Sequence, residues 1–308
     1  MEIVKLLNAL PGAAAQGLIW GIMAIGVYLT FRILDVSDLT VDGTMCTGGA
    51  VCIMCMLSGC NVWVAMLAAT GAGMLAGLVT GIFHTFMGIP AILAGILTQL
   101  SLYSINLKIM GKANQAINVD KYDLLVSLRY IKNVPLLQNT ILIVAIIIVA
   151  LIAILYWFFG TELGSSLRAT GCNPNMSRAQ GINTNRNKVL GLMLANGLVA
   201  FSSALLAQYQ GFADVNMGRG AIVIGLAAVI IGEAIIGRIF RNFALKLLSV
   251  AIGSILYYLV LQTVIWMGID TDLLKLLSAL AVAFFLAFPY WKSKYFTKPV
   301  KRGGSSNA

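Results

Sequence analysis

Apolar runs of about 20 residues, the length that crosses a bilayer core as α-helix, recur along this chain between short polar clusters. The pattern predicts spans over 14–34, 41–59, 62–83, 89–108, 138–159, 187–208, 219–237, 244–266 and 272–290. The runs are continuous and lack the alternation of half-buried strands. The fold they imply is all-α: a polytopic membrane protein of about 8–10 transmembrane helices.

The polar stretch 160–188 breaks this rhythm. Inside it the sequence writes both ends of a short helix. Asn173 suits the N-cap, Pro174 the first helical position, and Gly181 the left-handed residue that closes the turn. Arg168, Arg178, Arg186 and Lys188 face one acid, Glu162. A capped helix with basic flanks, held between two spans, suits docking of a soluble partner.

The other long polar stretch, 109–137, carries Lys112, Lys121, Arg129 and Lys132 against Asp120 and Asp123. The bias of Lys and Arg toward the cytoplasm puts 160–188, the 238–246 loop with Arg238, Arg241 and Lys246, and the basic tail inside. The loops with Asp214 and Asp270 then lie outside. By the same parity 109–137 is outside, against a mild excess of cations, and is expected to fold over the outer face. Nine spans put the C-terminus in the cytoplasm and the N-terminus outside. A re-entrant segment near 35–48 is the alternative that changes that count. Residues 1–291 form one transmembrane domain, and 292–308 a basic tail. Residues 1–16 lead into a span and read as no removable signal peptide.

Composition agrees: 59% of the 308 residues are hydrophobic and 10% charged, which leaves no separate soluble domain. The net charge of +10 collects at span ends and in the tail, so it marks orientation and not a nucleic-acid partner. Cys52 and Cys55 stand in an apolar helix with no second pair and no histidine, which favours buried thiols over a metal site.

Catalytic chemistry finds little support. His84, the one histidine, sits at a span end among apolar residues. No nucleophile motif and no paired carboxylates occur within a span. Gly111-Lys112-Ala113 lacks the Ser/Thr and the upstream glycine of a nucleotide-binding loop. The chain is read as a transport subunit and not an enzyme, with no cofactor or metal of its own.

Polar groups at membrane depth remain, and such groups usually face a bundle interior or a water path. Asp38, Thr40, Asp42, Gln99, Asn196, Asp214 and Glu233 are candidates for a pathway. Thr98, Asn106 and Gln208 belong to the same set, where interhelical hydrogen bonds explain them equally well. Asp38 and Asp42 can also cap the second span. For Glu233 an ion pair with Arg238 or Arg241 is the favoured reading. Gly73, Gly77 and Gly81 share one helix face and suit close packing better than a path.

A weak internal echo links Val36-Ser-Asp-Leu-Thr-Val-Asp-Gly43, after the first span, with Phe212-Ala-Asp-Val-Asn-Met-Gly218, after the sixth. On opposite sides of the membrane, two such elements suggest an inverted repeat.

Three stretches resemble one family in the right order. They are Gly17-Leu-Ile-Trp-Gly with Leu29-Thr-Phe-Arg-Ile-Leu-Asp-Val-Ser-Asp-Leu-Thr-Val-Asp-Gly, then Leu167-Arg-Ala-Thr-Gly-Cys-Asn-Pro-Asn-Met-Ser-Arg-Ala-Gln-Gly, then Gly225-Leu-Ala-Ala-Val-Ile-Ile-Gly-Glu-Ala. The chain is similar, over about 14–290, to permeases of the branched-chain amino acid and ribose class of ABC importers. The resemblance implies two permease chains, a homodimer in the simplest case, around one path in a bacterial plasma membrane. It implies ABC ATP-binding subunits that carry ATP and magnesium, and an extracytoplasmic substrate-binding protein. Arg168, Asn173, Pro174, Arg178 and Gly181 would then dock the ATP-binding subunit through a coupling helix. The Asp-Leu-Thr-Val-Asp-Gly wording resembles a subgroup linked with amino acids, and is the sole pointer to substrate. The competing reading is an autonomous ion-coupled transporter or channel.

Overall fold

The computed structural model describes residues 2–119, 121–122, 124–131, 139–235 and 242–267, with scattered positions from 273 to 287. Among them the chain forms ten α-helices and one small sheet. The first four helices are α1 (Glu2–Tyr28), α2 (Thr40–Leu57), α3 (Val62–Thr85) and α4 (Ala91–Met110). Strand β1 (Asn114–Ala116) follows, then α5 (Thr140–Gly160), α6 (Glu162–Cys172) and α7 (Pro174–Ala179). Then come α8 (Thr184–Gln210), strand β2 (Phe212–Asp214), α9 (Ala221–Ile235) and α10 (Phe243–Trp266). Seven of the described helices are long and apolar enough to cross a membrane. Most of the predicted span 272–290, the loop cations Arg238 and Arg241, Asp270 and the basic tail lie outside the described residues.

The all-α expectation holds, with three local differences. First, α1 passes without a break into a π-helical turn, Leu29–Ile33, and residues 34–39 are non-helical. Second, the predicted seventh span is helix α9, described over Ala221–Ile235, which starts two residues later than the pattern gives. It starts at Ala221 because residues 211–220 are drawn into a strand and turns. Third, the stretch 160–188 holds two helices and not one. The amphipathic α6 has no apolar run, which is why the span pattern passes over it.

Burial places α1, α2 and α8 at the centre: 83%, 72% and 67% of their most apolar stretches are buried, against 28% for α4 and for α5. The order α1–α2–α3 is repeated by α8–α9–α10 in the reverse sense. α1 runs toward the end of the molecule that carries Arg32 and Arg168, and α8 runs away from it. Packing repeats as well, with α3 lying along α8 and α1 along α10. This is the arrangement of an inverted repeat.

Close approach at α3–α8 needs glycine. A Cβ on Gly77 would stand 2.3 Å from the Leu192 carbonyl oxygen, and one on Gly73 2.5 Å from that of Asn196. The glycine stripe is therefore a packing face. At the end away from Arg32, β1 pairs antiparallel with β2, Asn114 opposite Asp214. Beyond β1, Ile117 N–H donates to the Gly211 carbonyl and Leu125 N–H to Gln208 Oε1. The described part of the 109–137 stretch thus folds back over the end of α8 at Ile117 and Leu125.

Candidate functional site

Three groupings bring the candidate residues together. The first is the α6–α7 element at the basic end. Thr161 Oγ1 accepts from Gly164 N–H and starts α6. Asn173 Oδ1 accepts from Met176 N–H at 3.1 Å and starts α7, with Pro174 in its first turn. Gly181, at φ 80°, closes the turn as a left-handed residue. Asn183 Oδ1 then accepts from Arg186 N–H and starts α8.

Two of the predicted docking cations are held by the chain itself. Arg178 Nε donates to Thr184 Oγ1 at 2.9 Å, tying α7 to α8. The Arg168 guanidinium lies over the Phe243 ring at 5.3 Å. Among the exposed polar side chains of the element stand two large apolar ones: Met176 is 63% exposed and Leu163 58%. Neither is legible in the sequence, where an isolated Leu or Met in a polar stretch carries no signal. The element is braced from below by Asn187, whose Nδ2 donates to Ser166 Oγ and Thr170 Oγ1. Gly171 of α6 sits directly on the Ile33 carbonyl of the π turn.

The π turn also presents Arg32, which pairs with Glu233 in a fork: Nε to Oε1 at 3.0 Å and Nη2 to Oε2 at 2.5 Å. Arg238 and Arg241, the partners expected for Glu233, lie outside the described residues. The described partner of Glu233 comes from the far end of α1, because α9 packs on α1 and brings the two tips together.

The second grouping lies inside the body. Asp35, at φ 55°, turns the chain after the π turn. Asp38 is then buried beside Asn196, close to the midpoint of α8. Asp38 Oδ1 accepts from Thr40 N–H and Oδ2 from Asn196 Nδ2. Asn196 Oδ1 accepts from Thr44 Oγ1. Thr40, Thr80 and Thr98 join in a hydroxyl chain with contacts of 2.7 and 2.9 Å. Asp38 thus caps α2, as one sequence reading expects. Asp42 does not cap it. Its carboxylate accepts from Gly220 N–H and Ile222 N–H, both at 3.0 Å, and so caps α9. The N-termini of α2 and α9, each a focus of partial positive charge, therefore meet inside the body with two carboxylates at hand.

The repeat reaches into this detail. Asp38 Oδ1 accepts from the N–H two residues on, Thr40, and Asp214 Oδ1 accepts from the N–H two residues on, Asn216. The sequence echo is an Asx turn used once in each half.

The third grouping is a cavity of about 380 Å³ between α2, α4 and the segment after β2, lined by Asp42, Gln99, Tyr103, Asn106 and Arg219 among others. Of the predicted pathway residues it gathers Asp42 and Gln99. Asp38, Thr40 and Asn196 belong to the buried network, Asp214 to the β2 turn and Glu233 to the basic end. The sequence marks Asn106 only as an intramembrane amide, and it gives Arg219 no distinction from other loop cations.

Residues 10–287 match a family model described as branched-chain amino acid transport system / permease component. A tyrosine transport system permease protein of Clostridioides difficile (strain R20291) is 37% identical over 281 residues, 91% of each chain. An uncharacterized protein of Rickettsia prowazekii (strain Madrid E) is 36% identical over 275 residues, 88% of this chain and 94% of that one. A fructose import permease protein of Bifidobacterium longum (strain NCC 2705) is 25% identical over 241 residues, 76% of this chain and 64% of that one.

Proposed function

This chain belongs to the branched-chain amino acid transport system permease family of ABC transporters, and from that premise we propose that it forms the path of an importer for an amino acid. The α6–α7 element carries the reading: a capped, braced helical pair with Met176 and Leu163 exposed at its surface. Two exposed apolar residues on a polar, basic element are what a docking contact with a soluble subunit requires.

In this reading the basic end faces the cytoplasm of a bacterial plasma membrane, in keeping with the positive-inside bias. ATP-binding subunits dock there and hold ATP and magnesium, and this chain holds no cofactor. A second copy of the chain completes the path, and an extracytoplasmic binding protein delivers the solute to the opposite end. Motion of α6 reaches the path by a short route. Gly171 rests on Ile33, the π turn carries Arg32, and Arg32 holds the tip of α9 through Glu233. The start of α9 is in turn held by Asp42 of α2. A push at the docking surface is thus delivered to the place where the two helix N-termini meet.

The relatives named for tyrosine and for fructose differ in solute, and the more similar of the two sets the substrate class proposed here. The test is purification of the tagged chain from native membranes, followed by reconstitution with whatever co-purifies. Recovery of an ATP-binding subunit and ATP-dependent uptake of radiolabelled L-tyrosine or L-leucine supports the reading. Ion-gradient-driven uptake by the chain alone rejects it.

A further inference from the structure

We propose that the cavity between α2, α4 and the segment after β2 is a subsite for the zwitterionic backbone of an amino acid, with Arg219 taking the carboxylate and Asn106 and Asp42 the ammonium. The inference rests on the importer reading for its substrate class.

At about 380 Å³ the cavity falls at the small end of the roughly 300–1,000 Å³ typical of small-molecule sites. It opens on the outer face of α4, where Leu100 and Tyr103 are exposed. Against lipid the exposed Arg219 guanidinium at this hollow would be desolvated without return. This face therefore meets water.

One group in the hollow lacks what its chemistry requires, and a second is free to pair with a ligand. Asn106 is fully buried; its Nδ2 reaches the Gly43 carbonyl at 3.5 Å, and its Oδ1 has no hydrogen-bond partner. A buried acceptor left without a donor is costly, and a ligand N–H would relieve it. Arg219 is exposed, and among the described residues its guanidinium has neither ion pair nor hydrogen bond. Its planar fork matches a carboxylate.

Asp42 adds to the acceptor side. Each of its oxygens receives one N–H from the start of α9 and keeps a second acceptor position. Donors for a carboxylate and acceptors for an ammonium thus share one cavity. Tyr103 and Leu100 stand at its mouth for the side chain. A sugar offers no anion to Arg219, and a simple amine or acid satisfies one half of the site alone.

The test uses the detergent-solubilised chain with its co-purifying subunits, carrying Leu100→Cys with the exposed Cys60 and Cys172 changed to Ser. The rate of labelling by a charged, water-soluble thiol reagent is measured with and without L-tyrosine or L-leucine. Both amino acids are expected to slow labelling, whereas tyramine, which lacks the carboxylate, and 3-(4-hydroxyphenyl)propionate, which lacks the ammonium, are not. Arg219→Gln removes a charge-assisted pair and is expected to raise the half-protecting concentration about tenfold or more. Equal protection by tyramine or by D-glucose overturns the subsite, and so does failure of the reagent to reach the thiol introduced by Leu100→Cys. The importer reading is scored separately, on recovery of the ATP-binding subunit. Protection without that subunit keeps the subsite and rejects the importer; the subunit without protection does the reverse.

Discussion

The Asp38 carboxylate and the Asn196 side-chain amide, 158 positions apart in the chain, meet in a 2.6 Å hydrogen bond inside the bundle. That bond ties the non-helical segment 34–39 to the middle of α8 and fixes where α2 begins. Asn196→Leu removes the donor and strands a buried carboxyl, so a loss of about 1–3 kcal/mol is expected. Asp38→Asn keeps an acceptor for Thr40 N–H, although its NH2 then faces the Asn196 donor. The Asn196 amide can turn over, with Thr44 Oγ1 accepting, so this variant is expected to cost less. Thermal unfolding of the two variants in detergent ranks them, and the reverse order contradicts this account.

Asp42 acts across the two halves by receiving Gly220 and Ile222 N–H groups. Asp42→Ala is expected to lose about 1–2 kcal/mol, as for loss of a helix N-cap, and Asp42→Asn less, since the amide oxygen still accepts. Hydrogen exchange of the first turn of α9 reads the effect locally. Exchange that quickens in α2 and not in α9 would mean that Asp42 caps its own helix.

Legibility along the chain follows the range of the interactions. Asn173, Pro174 and Gly181 can be read because a cap is settled within a few residues. The role of Asp42 cannot, because its partners lie 178 and 180 positions away. The same distance hides the Arg32–Glu233 pair, where the cations nearer in sequence are the natural choice. Helix α6 escapes because sequence periodicity is weighed against apolar length, and its buried side holds only Gly164, Leu167 and Thr170. The echo around Asp38 and Asp214 is visible because an Asx turn is written in three residues.

Glycine packing gives a contrast within one helix. Gly71 has nothing near its Cβ position, whereas Gly77 faces the Leu192 carbonyl. Gly71→Ala is expected to be neutral or to stabilise by about 0.5–1 kcal/mol through helix propensity. Gly77→Ala must push α3 from α8 and is expected to cost about 1–3 kcal/mol. Unfolding midpoints of the two purified variants decide it, and equal midpoints would remove the glycine stripe from the packing of α3 on α8.

The Arg32–Glu233 fork is partly exposed, at 52% and 27% of its side chains, so its value for stability is small, about 0–1 kcal/mol. Its expected effect is on coupling of the docking end to α9. Arg32→Glu and Glu233→Arg should each lower ATP-dependent uptake with little change in unfolding, and the double swap should restore part of it. Uptake that stays low in the double swap, with the fold intact, excludes the pair as the linking element.

The docking surface separates shape from contact. Asn173→Ala removes the acceptor for Met176 N–H and is expected to weaken α7 by about 1 kcal/mol. Binding of the ATP-binding subunit should fall in proportion, because the helix frays before it docks. Met176→Glu leaves every described hydrogen bond of α7 in place but puts a charge at the 63% exposed contact. Loss of a buried apolar anchor is typically worth about 2 kcal/mol at an interface centre, or roughly thirtyfold in affinity. Met176→Glu should therefore purify with an unchanged unfolding profile and without the subunit, and Met176→Leu should behave as the parent. Retention of the subunit by Met176→Glu would move the contact from α7 to the Leu163 side of α6, and Leu163→Glu in the same assay would locate it.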